Sequence, residues 1–177
     1  IEVVFNFAAE SHVDNSIINS NKFIKTNFVG VHNLISTARI EWRNNLKNKL
    51  FFQISTDEVF GHLKKNEAKF NESTRFNPRS PYSASKAAAD LLIKSFWETY
   101  KIPYVITHCS NNYGPNQNIE KLIPKTIKNI ISNKKIPIYG DGSNIRDWIY
   151  IDDHCNAILK IFKKRKINTS YNIGGNN

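Results

Sequence analysis

No methionine occurs anywhere in the chain, which opens directly on the strand-like run IEVVFNFAA. A translated gene begins with methionine, so the sequence reads as an internal stretch of a longer protein. Cysteine is almost as scarce. Cys109 and Cys155 are too few for a disulfide framework, and a reducing cytoplasm is the expected location. No apolar run approaches the ~20 residues of a membrane span, and no charged segment with a following cleavage site opens the chain. Acidic residues are outnumbered, with 15 Asp and Glu against 25 Lys and Arg and a net charge of +10. Such a surplus raises nucleic acid or an anionic membrane as a partner. The distribution argues against both. Nineteen of the basic residues are Lys, scattered among 24 Asn, mostly singly or in short pairs such as Lys64-Lys65 and Lys134-Lys135. That is the bias of an AT-rich genome rather than a binding stripe. No nucleic-acid and no membrane partner is expected; a positive field suits a small, phosphate-bearing anion.

What is present is the composition of a globular protein, 40% hydrophobic and 12% aromatic, at 177 residues long enough for one sizeable core. Strand-like and helix-like segments alternate, which argues for an α/β fold on parallel crossovers. Residues 1–9 read as a buried strand. Helical spacing runs from Asn21 to about Arg43 through Phe23, Val31, Leu34, Ile35 and Ala38. Leu50 to Ile54 is a second strand, and 61–80 a polar loop. Pro81 opens a helix that SASKAAADLLIKSFWETY continues to about Tyr100. Pro103 precedes a third strand, Tyr104 to His108. The turn NNYGPNQN, a helix near Pro124 to Ser132 and the short strand IPIYG follow. IDDHCNAILKIFKKRK begins acidic and ends basic, complementing a helix dipole. His154, in its first turn, reads as surface, and YNIGG closes on a strand and a glycine turn.

Two local patterns carry chemistry. Behind Leu50-Phe51-Phe52 stand Thr56, Asp57 and Glu58 in a row, in the stretch QISTDEVFG. Then Tyr82 and Lys86 form Y-S-A-S-K, four apart and on one helix face. A nearby ammonium favours the phenolate, so Lys86 is expected to pull Tyr82 toward neutrality, where it acts as a base.

In order along the chain come AAESHVDNSI at 8–17, STDEVFG at 55–61, SPYSASKAAAD at 80–90, NNYGP at 111–115, EKLIP at 120–124, PIYGDGSNIRDW at 137–148 and YNIGG at 171–175. Together they resemble the extended short-chain dehydrogenase/reductase family, and within it the dTDP-glucose 4,6-dehydratases, over essentially the whole chain. The resemblance implies a Rossmann-type, doubly wound parallel α/β sheet with part of a smaller substrate-binding domain, divided at 1–113 and 114–177. It implies NAD as cofactor, no metal, a nucleotide-sugar substrate, a full-length homodimer with its interface on the helices near 21–43 and 81–100, and a place in deoxysugar biosynthesis of the rhamnose type. Epimerases of the superfamily resemble the chain around Tyr82 and Lys86 but lack an Asp-Glu pair. A dehydratase needs one, because oxidation at the sugar C4 makes the C5 hydrogen acidic, and a base must take it while an acid protonates the departing C6 hydroxyl. By resemblance Glu58 is the base and Asp57 the acid, an assignment that requires their pKa values to be pushed apart. Thr56 would bond the C4 oxygen, Tyr82 take its proton, and Lys86 support Tyr82 and the nicotinamide ribose.

Further positions follow the same resemblance. Phe7, Ala8, Ala9, Glu10 and Ser11 end the first strand where a dinucleotide crosses the sheet, with Thr26 and Asn112 as further cofactor contacts alongside Tyr82 and Lys86. Ser11, Thr56, Asn111, Lys121, Leu122, Pro137, Ile138, Tyr139 and Arg146 match the nucleotide-sugar side, Arg146 as a charge-assisted partner for diphosphate. His12 reads as making a structural hydrogen bond. Three departures stand out: Phe60 where Tyr is usual, Asn118-Ile119 where an aromatic-Pro pair is usual, and no G-x-x-G-x-x-G turn to hold a pyrophosphate. That turn is expected upstream, and the stretch alone is expected to be inactive. The rival readings are a dehydratase acting on UDP-glucose, another nucleotide-sugar dehydratase or epimerase of the family, and a non-catalytic binding protein.

Overall fold

The computed structural model describes residues 1–64, 66–138, 140–164 and 166–176. Four parallel strands form the main sheet in the order β1 (Val3–Asn6), β2 (Leu50–Thr56), β3 (Tyr104–Cys109) and β6 (Thr169–Ile173). Alternation along the strands sorts their side chains onto two faces. Phe51, Tyr104 and Ile106 meet Val31, Ile35, Ala38 and Trp42 of α3 (Gly30–Trp42), together with Ala89, Ile93 and Phe96 of α4 (Pro81–Tyr100). Leu50, Phe52, Val105 and Cys109 point the other way, onto Ile158 of α6 (Ile151–Lys164). Both faces of β2 and β3 are covered, which is why these strands read as continuous apolar runs.

Helix α4 is the best-specified element. Pro81 sits in its first turn, and Ser80 and Ser83 cap one another, each hydroxyl accepting the other's backbone N–H at 3.1 and 3.0 Å. Lys101 ends it in the left-handed region at φ 58°. The expected helix over 21–43 is a continuous helical path with an irregular middle: α2 (Ser20–Phe23), a π-helical segment Ile24–Val29, then α3. A short α1 (Val13–Ile18) precedes it.

Beyond β3 the chain leaves the sheet. β4 (Asn111–Tyr113) pairs in parallel with β5 (Trp148–Tyr150), with α5 (Leu122–Ile131) between them, before α6 returns it to β6. The stretch NNYGPNQN therefore starts as a strand, not a turn. Ile136–Ile138 form no strand, since Pro137 removes a ladder donor; Tyr139 lies outside the described residues. His154 is buried rather than on the surface, because it shares the inward stripe of α6 with Ile158. Among the described residues no helix is long and apolar enough to cross a membrane.

Candidate active site

The carboxyl ends of the parallel strands are where loops and helix starts converge. At the end of β2, the Thr56 hydroxyl accepts the Glu58 backbone N–H at 3.2 Å and caps a 3₁₀ turn, Asp57–Phe60. Gly61 ends that turn at φ 94°, where a Cβ would meet the Asn77 carbonyl oxygen at 2.5 Å. The Asn77 N–H donates to the Val59 carbonyl at 2.9 Å. This close approach folds the 61–80 loop back so that α4 starts beside the end of β2, bringing Tyr82 and Lys86 to Thr56, Asp57 and Glu58.

Tyr82 is buried, with Phe23 edge-on at 6.3 Å and its backbone N–H bonded to the Ser16 hydroxyl at 3.1 Å. Its side chain lies by Thr56, which acts on the phenol. Lys86, also buried, donates from Nζ to the Ile54 carbonyl at 2.7 Å. Contrary to the expectation from sequence, the Tyr82 phenol is held above its ordinary value. Burial is the main cause, with Glu58, Cys109 and Asp57 adding to it and Thr56 opposing it. The lysine does not reverse this: its amine is turned onto a backbone carbonyl, and burial lowers its own pKa. Cys109 beside the pair is pushed up to about 11, again mainly by burial.

Desolvation also governs the carboxyls. It raises Asp57 to about 6, with a contribution from Asp147 and opposition from the Thr56 hydrogen bond and Arg146. Glu58 is raised by burial and by the Asp57 charge, against Arg146 and Lys121. Asp57 thus keeps a proton well above the ordinary carboxyl range, a requirement for donating one. Lys121 reaches across to donate to the Ser11 carbonyl at 2.8 Å and hydroxyl at 3.2 Å. Ser11, Lys121, Arg146 and the carboxyl pair therefore share one electrostatic neighbourhood.

The remaining residues divide. Phe7, Ala8 and Ala9 lie exposed past the end of β1, followed by half-buried Glu10. Thr26 is half-buried in the π-helical segment. Asn111 heads β4, its N–H on the Asp147 carbonyl at 3.2 Å. Asn112 donates to Cys109 Sγ at 3.4 Å and to the Ser110 carbonyl at 3.2 Å, while its Oδ1 is buried without a partner among the described residues. Leu122 is exposed, Pro137 half-buried and Ile138 exposed, and no hydrogen bond draws these three toward the carboxyls. The structural hydrogen bond expected of His12 is not made through Nδ1, which is buried with no partner among the described residues.

Asn27 was not singled out from the sequence. Its amide accepts the Glu10 N–H at 2.9 Å, donates to the Glu10 carbonyl at 3.0 Å and to the Ser85 hydroxyl at 2.9 Å. One fully buried side chain thereby pins the loop after β1 to α4. The signal was its phase: Asn27 follows Phe23 by one helical turn, on the inward face.

The family model described as GDP-mannose 4,6 dehydratase matches residues 1–177. A dTDP-glucose 4,6-dehydratase from Neisseria gonorrhoeae is 46% identical over 99% of this chain and 52% of its own length. One from Escherichia coli is matched over all of this chain and 52% of its own length. The chain thus spans about half the length of these curated relatives. Among solved structures, a dTDP-glucose 4,6-dehydratase from Streptomyces venezuelae with NAD and TYD bound superposes with a TM-score of 0.92 at 39% identity, over 99% of this chain and 52% of that one. A UDP-glucuronic acid 4-epimerase from Bacillus cereus, in complex with UDP-glucuronic acid and NAD, gives 0.90 at 28% identity, over 100% and 55%.

Proposed function

The chain belongs to the GDP-mannose 4,6-dehydratase family, and on that footing we propose that the protein containing it removes water from dTDP-glucose to give dTDP-4-keto-6-deoxyglucose, with NAD as cofactor. The observation that carries this reading is the pair Asp57 and Glu58 beside Tyr82, with Asp57 held protonated to about pH 6. A bound nicotinamide dinucleotide would supply the acceptor that takes hydrogen from the sugar C4 and returns it at C6. Tyr82 accepts the C4 hydroxyl proton as the phenolate, a form that the positive charge of a bound nicotinamide ring would favour against the burial that raises it; Thr56 bonds the same oxygen, and Lys86 steadies Tyr82. With C4 a carbonyl, Glu58 removes the C5 proton and Asp57 gives its proton to the C6 hydroxyl, which departs as water; as hydrogen is returned at C6, Glu58 gives its proton back to C5, and Tyr82 and Asp57 reset by exchange with solvent. An epimerase has no use for that second acid–base pair.

The donor set fits the dinucleotide. Phe7 and Ala8 offer apolar surface at the end of β1, and the unpartnered Asn112 Oδ1 is an acceptor suited to a carboxamide N–H. Ser11, Lys121 and Arg146 form the charged side toward a diphosphate, with Asn111, Leu122, Pro137, Ile138 and Tyr139 assigned to the nucleotide-sugar end. In the whole enzyme, residues 1–113 would serve the dinucleotide and 114–177 the nucleotide sugar, β6 rejoining the first sheet. A homodimer would use α3 and α4, whose outer faces expose Leu34, Ile40, Leu91 and Tyr100. The product would feed deoxysugar synthesis of the rhamnose type.

The test is the full-length protein with NAD and either dTDP-glucose or UDP-glucose, the products read by mass spectrometry. Loss of one water from dTDP-glucose in preference to UDP-glucose is expected. A C4 epimer of unchanged mass would replace this reading with an epimerase.

A further inference from the structure

Beneath the Tyr82/Lys86 pair lies a second set of polar groups that the proposed chemistry does not use. Asp90 follows Lys86 by one turn of α4 and has no exposed surface. Its Oδ2 accepts the Ser55 hydroxyl at 2.6 Å and lies 3.2 Å from His108 Nε2. The His108 ring is in turn packed against Phe60, at 4.9 Å, and Phe76, at 5.7 Å. Lys86 is tied to the carbonyl of Ile54, the residue before Ser55. Two successive residues of β2 therefore hold the two buried charged residues of α4.

This arrangement is a poor choice for stability alone. Asp90 Oδ1 and His108 Nδ1 are buried with no partner among the described residues. Leaving such atoms unpaired opposes folding, and an apolar residue of similar volume generally does better. What Asp90 does supply is a carboxyl one helical turn from an amine removed from water. We infer that Asp90 is a positioning residue for the Tyr82/Lys86 pair: the buried anion that keeps the Lys86 amine charged and in place, itself held by Ser55 and His108. The inference rests on the reading of Tyr82 and Lys86 given above.

The groups facing Lys86 decide which one supplies the counter-charge. From α4 this is Asp90 and from β3 Cys109; His108 meets Asp90, and Asp57 and Glu58 act on Tyr82. Burial lowers Lys86, and the opposing influences are first Asp90 and then Cys109. The Cys109 thiol, pushed up to about 11, is uncharged at working pH. The Tyr82 phenol is neutral for the same reason of burial. Asp90, held by the Ser55 hydroxyl and the His108 ring, is the carboxyl in place to supply the counter-charge.

Asp90→Asn keeps the shape and removes the charge. In the full-length protein with NAD, the pH dependence of hydrogen transfer from dTDP-glucose is followed in single turnover at 340 nm. The alkaline limb, where Lys86 loses its proton, should move down by roughly one to three pH units, the usual effect of an adjacent opposite charge. NMR of isotope-labelled Lys86 without sugar should show the same shift, which a merely structural residue would not produce. An unmoved limb and an unmoved Lys86 titration in folded Asp90→Asn would overturn the inference. Should that variant not fold, Ser55→Ala decides it, a smaller downward shift supporting the inference and no shift overturning it. Tyr82→Phe separates the two levels. If that variant transfers hydrogen normally, the underlying reading fails; if it does not and the Asp90→Asn limb stays put, only the Asp90 inference fails.

Discussion

Replacing Asp57 with Asn should make the protein more stable at neutral pH while removing its dehydratase activity. Asp57 is drawn from an ordinary value of 3.8 to about 6 chiefly because the 3₁₀ turn buries its carboxyl. The folded state therefore binds the Asp57 proton more tightly than the unfolded chain does. This contribution to stability is fully present below about pH 4 and is lost as the pH rises through 6. Two pH units correspond to about 3 kcal/mol, and residual exposure with relaxation of the turn brings the expectation nearer ~2 kcal/mol. Asn lacks the ionisation and escapes the loss. Denaturant unfolding of wild type and Asp57→Asn at pH 4 and pH 8 measures it. The variant should gain about 2 kcal/mol on wild type between those two values. A stability difference that does not change with pH would show that Asp57 is not a desolvated carboxyl, and its assignment as the acid would lose its physical basis.

Glu58→Gln in the full-length protein should still oxidise C4, seen as absorbance at 340 nm, but release no dehydrated product; recovery of that product would remove Glu58 as the base. Tyr82→Phe should slow the hydrogen-transfer step by about 10²–10⁴-fold with nucleotide-sugar binding retained, and normal single-turnover absorbance would exclude Tyr82 from the step. Asn27→Ala deletes three hydrogen bonds to Glu10 and Ser85. It should destabilise the fold by roughly 1–3 kcal/mol and weaken NAD binding in equilibrium titration; unchanged affinity would mean the loop after β1 does not need its anchor.

The elements that were legible are those whose local chemistry and burial agree. β2 announces itself by the apolar run Leu50-Phe51-Phe52, buried on both faces, and α4 by Pro81 at its start and Pro103 beyond its end. Thr56, Asp57, Glu58, Tyr82 and Lys86 were nameable because each lies beside one of these two elements. The short pieces were not. α1 carries polar Ser16 as its buried residue, so its six positions show no apolar stripe. β4 and β5 have three residues each and pair with one another across more than thirty residues of sequence. Ile136–Ile138 have the composition of a strand and, among the described residues, no neighbour to join. Buried polar residues are the systematic blind spot: Asn27, Asp90, His108 and His154 look like surface in any hydropathy pattern, and the hydrogen bonds of the first three to distant segments are tertiary facts.

The π-helical segment Ile24–Val29 has a consequence for how the molecule tolerates change. A π turn holds one more residue than an α turn, so it acts as a phase shifter within one rod. Upstream of it, Phe23 faces Tyr82; downstream, Val31, Ile35 and Ala38 face the sheet. Without the extra residue, the two stretches would be rotated by about 100° relative to each other. Deleting one residue from this segment would therefore leave α3 seated on the sheet while swinging α1, α2 and the Glu10 loop out of alignment with α4. A single-codon change could thus uncouple a ligand-facing loop from a core that still folds.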